Sequence, residues 1–484
     1  MDAYTSPLKT FLTIPYKDLE QMNIKAKHAQ QTETSEALEK EYREYLSKEK
    51  DIKAVTLCFS DIEGKFQMLD YDKQYLLKGA ANNLTFDGSS VRGYTVQRES
   101  DLRLIVDWGS IVWLPSDVFG PGKVIMFAFV ANRDRTMYLS DFRWQLREYT
   151  KKLKQAKGLE VFASTEIEGI LVDGVNAEQT YSKEHGFTLT SSGGYYHALP
   201  KDRLRLFIDA VAEAQRAMGF ENEKDHPEVA PSQFELNFSY GDINRIADQV
   251  QLYKLVCRQV ATSMGMTATF LPKPMVGING SGMHTNMSIF KNTAKDKKNI
   301  FYDAHGNDGM SSFAWDYISR ILNHAPELCL LFNPSVNAYR RLDPHFEAPN
   351  QIRVSANDRG SMIRIPVGDK RTTRIEVRSI SPDVNPYLVF YALLRTGLEG
   401  NKLLAVKNKR TRARFLPGDI YDAIRQYKAG EFISEILGEE NKEKYLHWKE
   451  LVAGRSPREL GTIVKNGEVL FHHEVTNQWI WHGY

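Results

Sequence analysis

Hydrophobic and polar positions change period along the chain, and the changes sort it into segments. Over residues 17–50, Lys, Glu and Gln dominate, with Leu and Ala at loose helical spacing. This predicts a solvated amphipathic helix, or a pair of helices, set as an appendage. From about residue 52 the texture turns strand-like: KAVTLCFSD, GKFQMLDYD and GPGKVIMFAFV are separated by Gly and Asp turn signals. SDFRWQLREYTKKLKQAKG, at 140–158, has a Ser-Asp start, an apolar stripe and a Gly stop, which predicts a helix. Strand-like VFASTEIEGILV follows, then a helix over 203–220, a strand over 233–240, and a helix over 243–265. Beyond the Gly-rich GINGSGMHTNMSIF, the pattern predicts a helix over about 312–331 and a loop-rich stretch at 333–370. TRIEVRSI alternates as a strand, PYLVFYALLRTGLEGNKLL reads as a helix, and small helices close the chain. Strands and long helices do not alternate regularly, so the expected class is α+β rather than a doubly wound sheet. The expected organisation is a helical extension over 1–50, a strand-rich domain over 51–139 and a larger domain over 140–484.

Composition narrows the function. Among 484 residues, 63 Lys and Arg nearly balance 61 Asp and Glu, a net charge of +2. That argues against a nucleic-acid or membrane-surface partner, which calls for an excess of one sign. Three widely spaced cysteines, Cys58, Cys257 and Cys329, offer neither a disulfide framework nor a CxxC metal site. The longest apolar run, VIMFAFV, is strand-sized, and the polar N-terminus has no signal-peptide core. A cytoplasmic protein is expected.

Five segments could carry chemistry. Glu166 and Glu168 sit two apart in a strand and therefore share a face. Such a pair in an apolar strand either faces solvent or needs cations, and oxygen donors favour Mg²⁺ or Mn²⁺. Glu235 alternates against Phe234, Leu236 and Phe238, so it is solvated or paired, and Glu228 lies upstream. Asn279-Gly-Ser-Gly-Met-His284 is a turn, or a loop allowing close backbone approach with a metal-ligating imidazole behind it. Arg374, Glu376 and Arg378 share a strand face, as a salt-bridge ladder or an anion site. Arginines are dense between 339 and 378. Carboxylates with arginines describe a site for a polyanion and divalent cations, the combination phosphoryl transfer requires. No GxxxxGK[ST], GxGxxG or GxSxG pattern supports a P-loop, dinucleotide or hydrolase fold.

In this order the segments resemble glutamine synthetase of the bacterial class I type, from about residue 52 to the end. Phe86-Asp-Gly-Ser-Ser90 matches the family's FDGSS, followed by Glu99-Ser-Asp101. EIE, HPEVAPSQFE, NGSGMH, NPSVNAYRRL and RIEVR match its later motifs, and Val475, Trp479 and Tyr484 its C-terminal pattern. The resemblance implies a small N-terminal β-grasp domain and a large catalytic α+β domain of the glutamine synthetase/guanido kinase-like fold. It implies ATP-dependent ligation of ammonium to L-glutamate by way of γ-glutamyl phosphate. One metal site would use Glu168, Glu228 and Glu235, the other Glu166, His284 and Glu376, with two to three Mg²⁺ or Mn²⁺ per active site in all. Glutamate would be held by Asn279, Gly280, Arg341 and Arg378, with help from His226. ATP would meet Glu223, Asn286, Ser288, Arg359 and Arg364, and Tyr240 would pack on adenine. Asp87 would bind and deprotonate ammonium beside Ser90, Glu347 would close over the intermediate, and Arg359 would offset transition-state charge.

Class I members assemble as two face-to-face hexameric rings with active sites between subunits, so a homododecamer is expected. The chain departs from the family at Pro227, in the place of a second His. Lys370 is the nearest candidate for the nucleotide lysine. Residues 405–417 carry no Tyr for adenylylation, and the KNKRTRAR run there reads as a solvated surface loop. Two alternatives are a γ-glutamyl-polyamine or amine ligase of the same family and a catalytically inactive regulatory member. Asp87 with Ser89 and Ser90, and the intact set of acidic ligands, favour ammonia and activity.

Overall fold

A computed structural model describes residues 13–80, 84–95, 100–180, 186–196, 202–275, 277–293, 296–342, 348–402 and 413–454. Glu99, Glu347, residues 403–412 of the basic stretch and the Val475, Trp479 and Tyr484 pattern lie outside the described residues. One compact unit takes the described residues of 1–59, 66–138 and 210–221; the other takes those of 60–65, 139–209 and 222–484.

The first unit is built on a mixed sheet. Its strands are β1 (Ala54–Ser60), β2 (Phe66–Asp72), β3 (Thr85–Asp87), β4 (Asp101–Val106), β5 (Val112–Trp113) and β6 (Val124–Ala131). They run in the order β2-β1-β6-β4-β3, with β5 also on β6. β6 lies inside the sheet and pairs parallel to β1, with Leu57 opposite Met126. Every residue of β6 is buried, which explains its unbroken apolar run.

The helices Tyr16–Thr32 and Ser35–Lys48 form as the spacing predicts. They are not a solvated appendage: Leu19, Ala26, Leu38, Tyr42 and Leu46 are buried in one core with Val55, Leu57 and Met126. The apolar positions are few, but the sheet covers nearly all of them. Asn23 adds a polar joint. Its amide donates to the carbonyls of Trp113, at 2.9 Å, and Ala217, at 2.8 Å, and accepts from Trp113 N at 3.0 Å. A side chain thus serves as a strand partner for the short β5.

The second unit holds a ten-stranded sheet. Its strands are β7 (Leu159–Asp173), β8 (Asn222–Pro227), β9 (Gln233–Phe238), β10 (Gly241–Asp242), β11 (Met266–Thr269), β12 (Met283–Asn292), β13 (Lys297–Asn299), β14 (Gln351–Ser355), β15 (Ser361–Arg364) and β16 (Ile375–Val377). The main path is β14-β15-β16-β12-β7-β9-β8, with β10 and β11 also on β7 and β13 on β12. Long helices cover it, among them Phe142–Lys157, Ile243–Ser263, Ser312–Phe332 and Pro386–Glu399. Asp141, Asp242, Ser311 and Asn385 cap their N-termini.

The stretch at 333–370, expected to be loop-rich, contains the Val336–Arg341 helix and two short strands. Ser335 caps that helix, accepting from Ala338 N at 3.1 Å. All three cysteines are buried. Among the described residues, no helix is long and apolar enough to cross a membrane.

Candidate active site

The site is a row of side chains running across one face of the larger sheet. Antiparallel register does the work: residues opposite each other in neighbouring strands share a face, as do residues two apart in one strand. Glu166 on β7 stands opposite His284 on β12, and Glu168 stands opposite Glu235 on β9. Glu235 stands opposite His226 on β8. On the other flank, Asn286 on β12 stands opposite Glu376 on β16, and Glu376 opposite Arg364 on β15. Residues spread over more than 200 positions thereby meet on one ledge.

Two groups of potential ligands stand out. Glu166, His284 and Glu376 bring one donor atom each to within 4.8 Å of one another, and so do His226, Glu228 and Glu235. The first set is the one the resemblance implies. In the second, His226 stands where Glu168 was expected. Glu168 lies between the groups: its Oε2 accepts from Gly282 N at 2.9 Å and from Gln233 Nε2 at 3.3 Å. Its Oε1 is 3.8 Å from His284 Nε2.

The electrostatics show an excess of negative charge at one end. Burial and then the charges of Glu168 and Glu166 push the Glu228 carboxyl up to about 8. Burial and the charges of Glu168, Glu166 and Glu228 push Glu235 well above the usual range. Burial also raises Glu166, but hydrogen bonding and charge from His284, with Asn286, outweigh it and bring Glu166 to about 2. His226 is lowered by burial, which keeps its imidazole neutral and able to donate a lone pair. At the other end Glu376 is fully buried and paired with the guanidinium groups of Arg364 and Arg378. Crowded hard oxygen donors, and one imidazole in each group, fit divalent Mg²⁺ or Mn²⁺.

The glycine loop packs on a buried arginine. A Cβ at Gly280 would meet Pro272 O at 2.5 Å and Arg341 Cγ at 2.9 Å; one at Gly282 would meet Arg341 Nη2 at 2.5 Å. Only glycine allows this approach. Arg341 donates to Ile380 O at 3.1 Å and Arg378 O at 2.8 Å, and burial lowers its pKa to about 10. Among the described residues it has no carboxylate partner, so the structure holds a desolvated cation beside the acidic row. Asn279 lies in the same loop, half-buried.

A cleft of about 300 Å³ opens beside the row. Its lining includes Glu166, Glu223, Tyr240, Asn286 and Ser288, so four of the six expected nucleotide contacts share one cavity. Tyr240 packs edge-on to Phe162, with ring centroids 6.0 Å apart. Arg364 and Arg359 are not among the lining residues. Arg364 is engaged by Glu376, and Arg359 is exposed, its carbonyl accepting from Arg378 Nε at 3.4 Å. Lys370 is not in the lining either; Lys224, Arg371 and Arg374 supply the basic groups there.

Other contributors escaped the sequence reading. Tyr195 and Tyr196 stack with centroids 3.8 Å apart and pack edge-on to His226, at 5.7 and 5.1 Å. The doubled aromatic after Gly193-Gly194 was the available signal. In the N-terminal unit, Asp87 caps the turn Gly88–Ser90. It accepts 2.6 Å hydrogen bonds from the hydroxyls of Ser89 and Ser90. These bonds hold its pKa below the ordinary value, so it stays ionised.

A row of hard ligands beside a basic cleft is the layout of a metal-dependent site for phosphate chemistry. A model of the glutamine synthetase catalytic domain matches residues 140–453, and one of the glutamine synthetase beta-Grasp domain matches residues 51–132. The chain belongs to the glutamine synthetase family and is an enzyme of it. Glutamine synthetase of Methanosarcina mazei is 36% identical over 419 residues, 84% of this chain and 92% of the relative. That of Thermotoga maritima is 33% identical over 436 residues, 87% and 96% of the two chains. Among solved structures, Plasmodium falciparum glutamine synthetase has a similar fold, with a TM-score of 0.77, 21% identity, and coverage of 88% of this chain and 98% of that one. A GmaS/ADP complex matches with a TM-score of 0.74 at 24% identity and the same coverage. These two likenesses concern the fold.

Proposed function

We propose that the chain joins ammonia to the γ-carboxylate of L-glutamate, converting ATP to ADP and phosphate through γ-glutamyl phosphate, as a class I type glutamine synthetase. The observation that carries the reading is the cross-strand row, in which Glu166, Glu168, His284, Glu235 and Glu376 share one face beside a basic cleft. Glu166, His284 and Glu376 would hold one divalent cation, and Glu228, Glu235 and Glu168 another, with His226 beside it. When bound, such cations offset the charge on the transferring phosphoryl group.

The chain's own residues then divide the work. Glu223, Asn286, Ser288 and the ring of Tyr240 seat the nucleotide, with Lys224, Arg371 and Arg374 near its phosphates. Arg359 and Arg364 offset negative charge as the γ-phosphoryl group moves to the glutamate carboxylate. Arg341 pairs with a glutamate carboxylate, since a buried guanidinium whose partners among the described residues are carbonyls gains most from an anion. Asn279, Gly280 and Arg378 complete that pocket, and His226 assists. Asp87, kept ionised by Ser89 and Ser90, attracts ammonium and takes its proton as the nitrogen attacks. Glu347 closes over the acyl phosphate and keeps water from it. Asp87 and Ser90 serve the site of a neighbouring subunit in a dodecamer of two hexameric rings.

The test is ADP release with each component omitted in turn. It should require glutamate, ammonium and Mg²⁺ or Mn²⁺ together. A run offering putrescine, spermidine or ethanolamine instead of ammonium separates ammonia ligation from amine ligation. Preference for any of these amines, or ADP release indifferent to glutamate, overturns the reading.

A further inference from the structure

Gln233 lies where three segments of the site meet. It is the first residue of β9 and is 1% exposed. It stands on the same face as Glu235, two residues on. Its Oε1 accepts from Ala230 N at 3.0 Å, which fastens the turn that carries Glu228. Its Nε2 faces three acceptors: Gly280 O at 3.1 Å, Ser281 Oγ at 3.2 Å and Glu168 Oε2 at 3.3 Å. One amide therefore touches a carboxylate of the acidic row, the glycine loop packed on Arg341, and the Glu228 turn.

We propose that Gln233 is a positioning residue that couples divalent-cation binding at Glu168 to glutamate binding at the 279–282 loop; this rests on the reading above. The physical argument concerns shared protons. Two N–H groups cannot fully satisfy three acceptors, so the amide divides its donation between Glu168 and the loop. A cation that draws on the Glu168 carboxylate weakens its claim on the amide. The amide then donates more fully to Gly280 O and Ser281 and fixes the loop in one arrangement. Glutamate, in turn, finds the loop ordered and binds more tightly. By linkage, glutamate must tighten cation binding by the same factor.

The test uses the full-length enzyme and its Gln233→Met variant, which keeps side-chain volume and removes the amide. Free Mn²⁺ is read by its paramagnetic resonance signal, with and without saturating glutamate. Glutamate should tighten Mn²⁺ binding to the wild type by about fivefold or more. In the variant that factor should fall to below twofold. KM for glutamate should rise about tenfold, while KM for ATP changes less than twofold. Gln233→Asn, one methylene shorter and unable to span Glu168 and Gly280, should behave like Met and guards against misfolding of the first variant. An unchanged glutamate effect in either folded variant overturns the proposal, and so does an equal rise of both KM values. A wild type that binds Mn²⁺ with no glutamate effect also overturns it but leaves the metal site standing. A wild type that binds no Mn²⁺ overturns the site reading itself.

Discussion

Replacing Glu235 with glutamine should stabilise the metal-free enzyme at alkaline pH while weakening its response to metal. Glu235, Glu228 and His226 bring donor atoms within 4.8 Å of one another. Two full charges at that distance repel by about 3.5 kcal/mol at an effective dielectric constant near 20. The folded protein relieves this by keeping protons on the carboxyls: Glu228 is pushed up to about 8, and Glu235 well above its usual range. The sign follows from linkage. A carboxyl with a raised folded pKa binds more protons folded than unfolded, so stability falls as pH rises from its unfolded value toward its folded one. Two carboxyls share the repulsion, and about 2 kcal/mol is a reasonable part for one of them at pH 8.5. The substituted amide carries no charge, so Glu235→Gln should unfold about 2 °C higher than wild type in chelator at pH 8.5, with little difference at about pH 4, below the unfolded carboxyl's pKa. Saturating Mg²⁺ or Mn²⁺ should reverse the order, because wild type fills the site that includes Glu235 and the variant does not. Thermal unfolding of both proteins, with and without metal at the two pH values, reads this directly. A variant less stable than wild type in chelator at pH 8.5, or equally stabilised by metal, would refute the reasoning.

Three further outcomes are expected. Asp87→Asn should impair glutamine formation at least tenfold more than γ-glutamyl phosphate formation, measured as enzyme-bound ADP formed in a single turnover without ammonium; equal losses remove its assigned role. Arg371→Ala should raise KM for ATP about fivefold and leave KM for glutamate within twofold, because Arg371 lines the cleft beside Asn286 and Ser288. The opposite pattern would place the nucleotide elsewhere. Asn23→Ala should cost about 2–4 kcal/mol in denaturant unfolding, because both ladder groups of Trp113 and the carbonyl of Ala217 lose their partner. A cost below about 0.5 kcal/mol would mean water replaces the amide without penalty.

Legibility in the sequence followed the range of the interaction. Period-2 spacing placed Glu166 beside Glu168, and Arg374, Glu376 and Arg378 together, because strand alternation is local. The cap Asp141 was readable for the same reason. Spacing could not say that Glu168 pairs with Glu235, or Glu166 with His284, since register depends on strands that meet only in the folded sheet. The family resemblance brought these residues together where periodicity could not. Arg371, Lys224 and Gln233 were missed because nothing in a linear pattern separates a polar residue lining a cleft from one in solvent. The first helices looked solvated because their apolar positions are sparse; the sheet beneath them buries Leu19, Leu38 and Leu46.

The most direct measurement supplies ¹⁵N-ammonium with ATP, Mg²⁺ and glutamate, and follows the label by mass spectrometry and NMR while ADP is counted. The account predicts label only in the side-chain amide of glutamine, one for each ADP formed, and none once Glu166 and Glu376 are both changed to Gln. Label-free ADP production, or no glutamine from the folded enzyme, would contradict it.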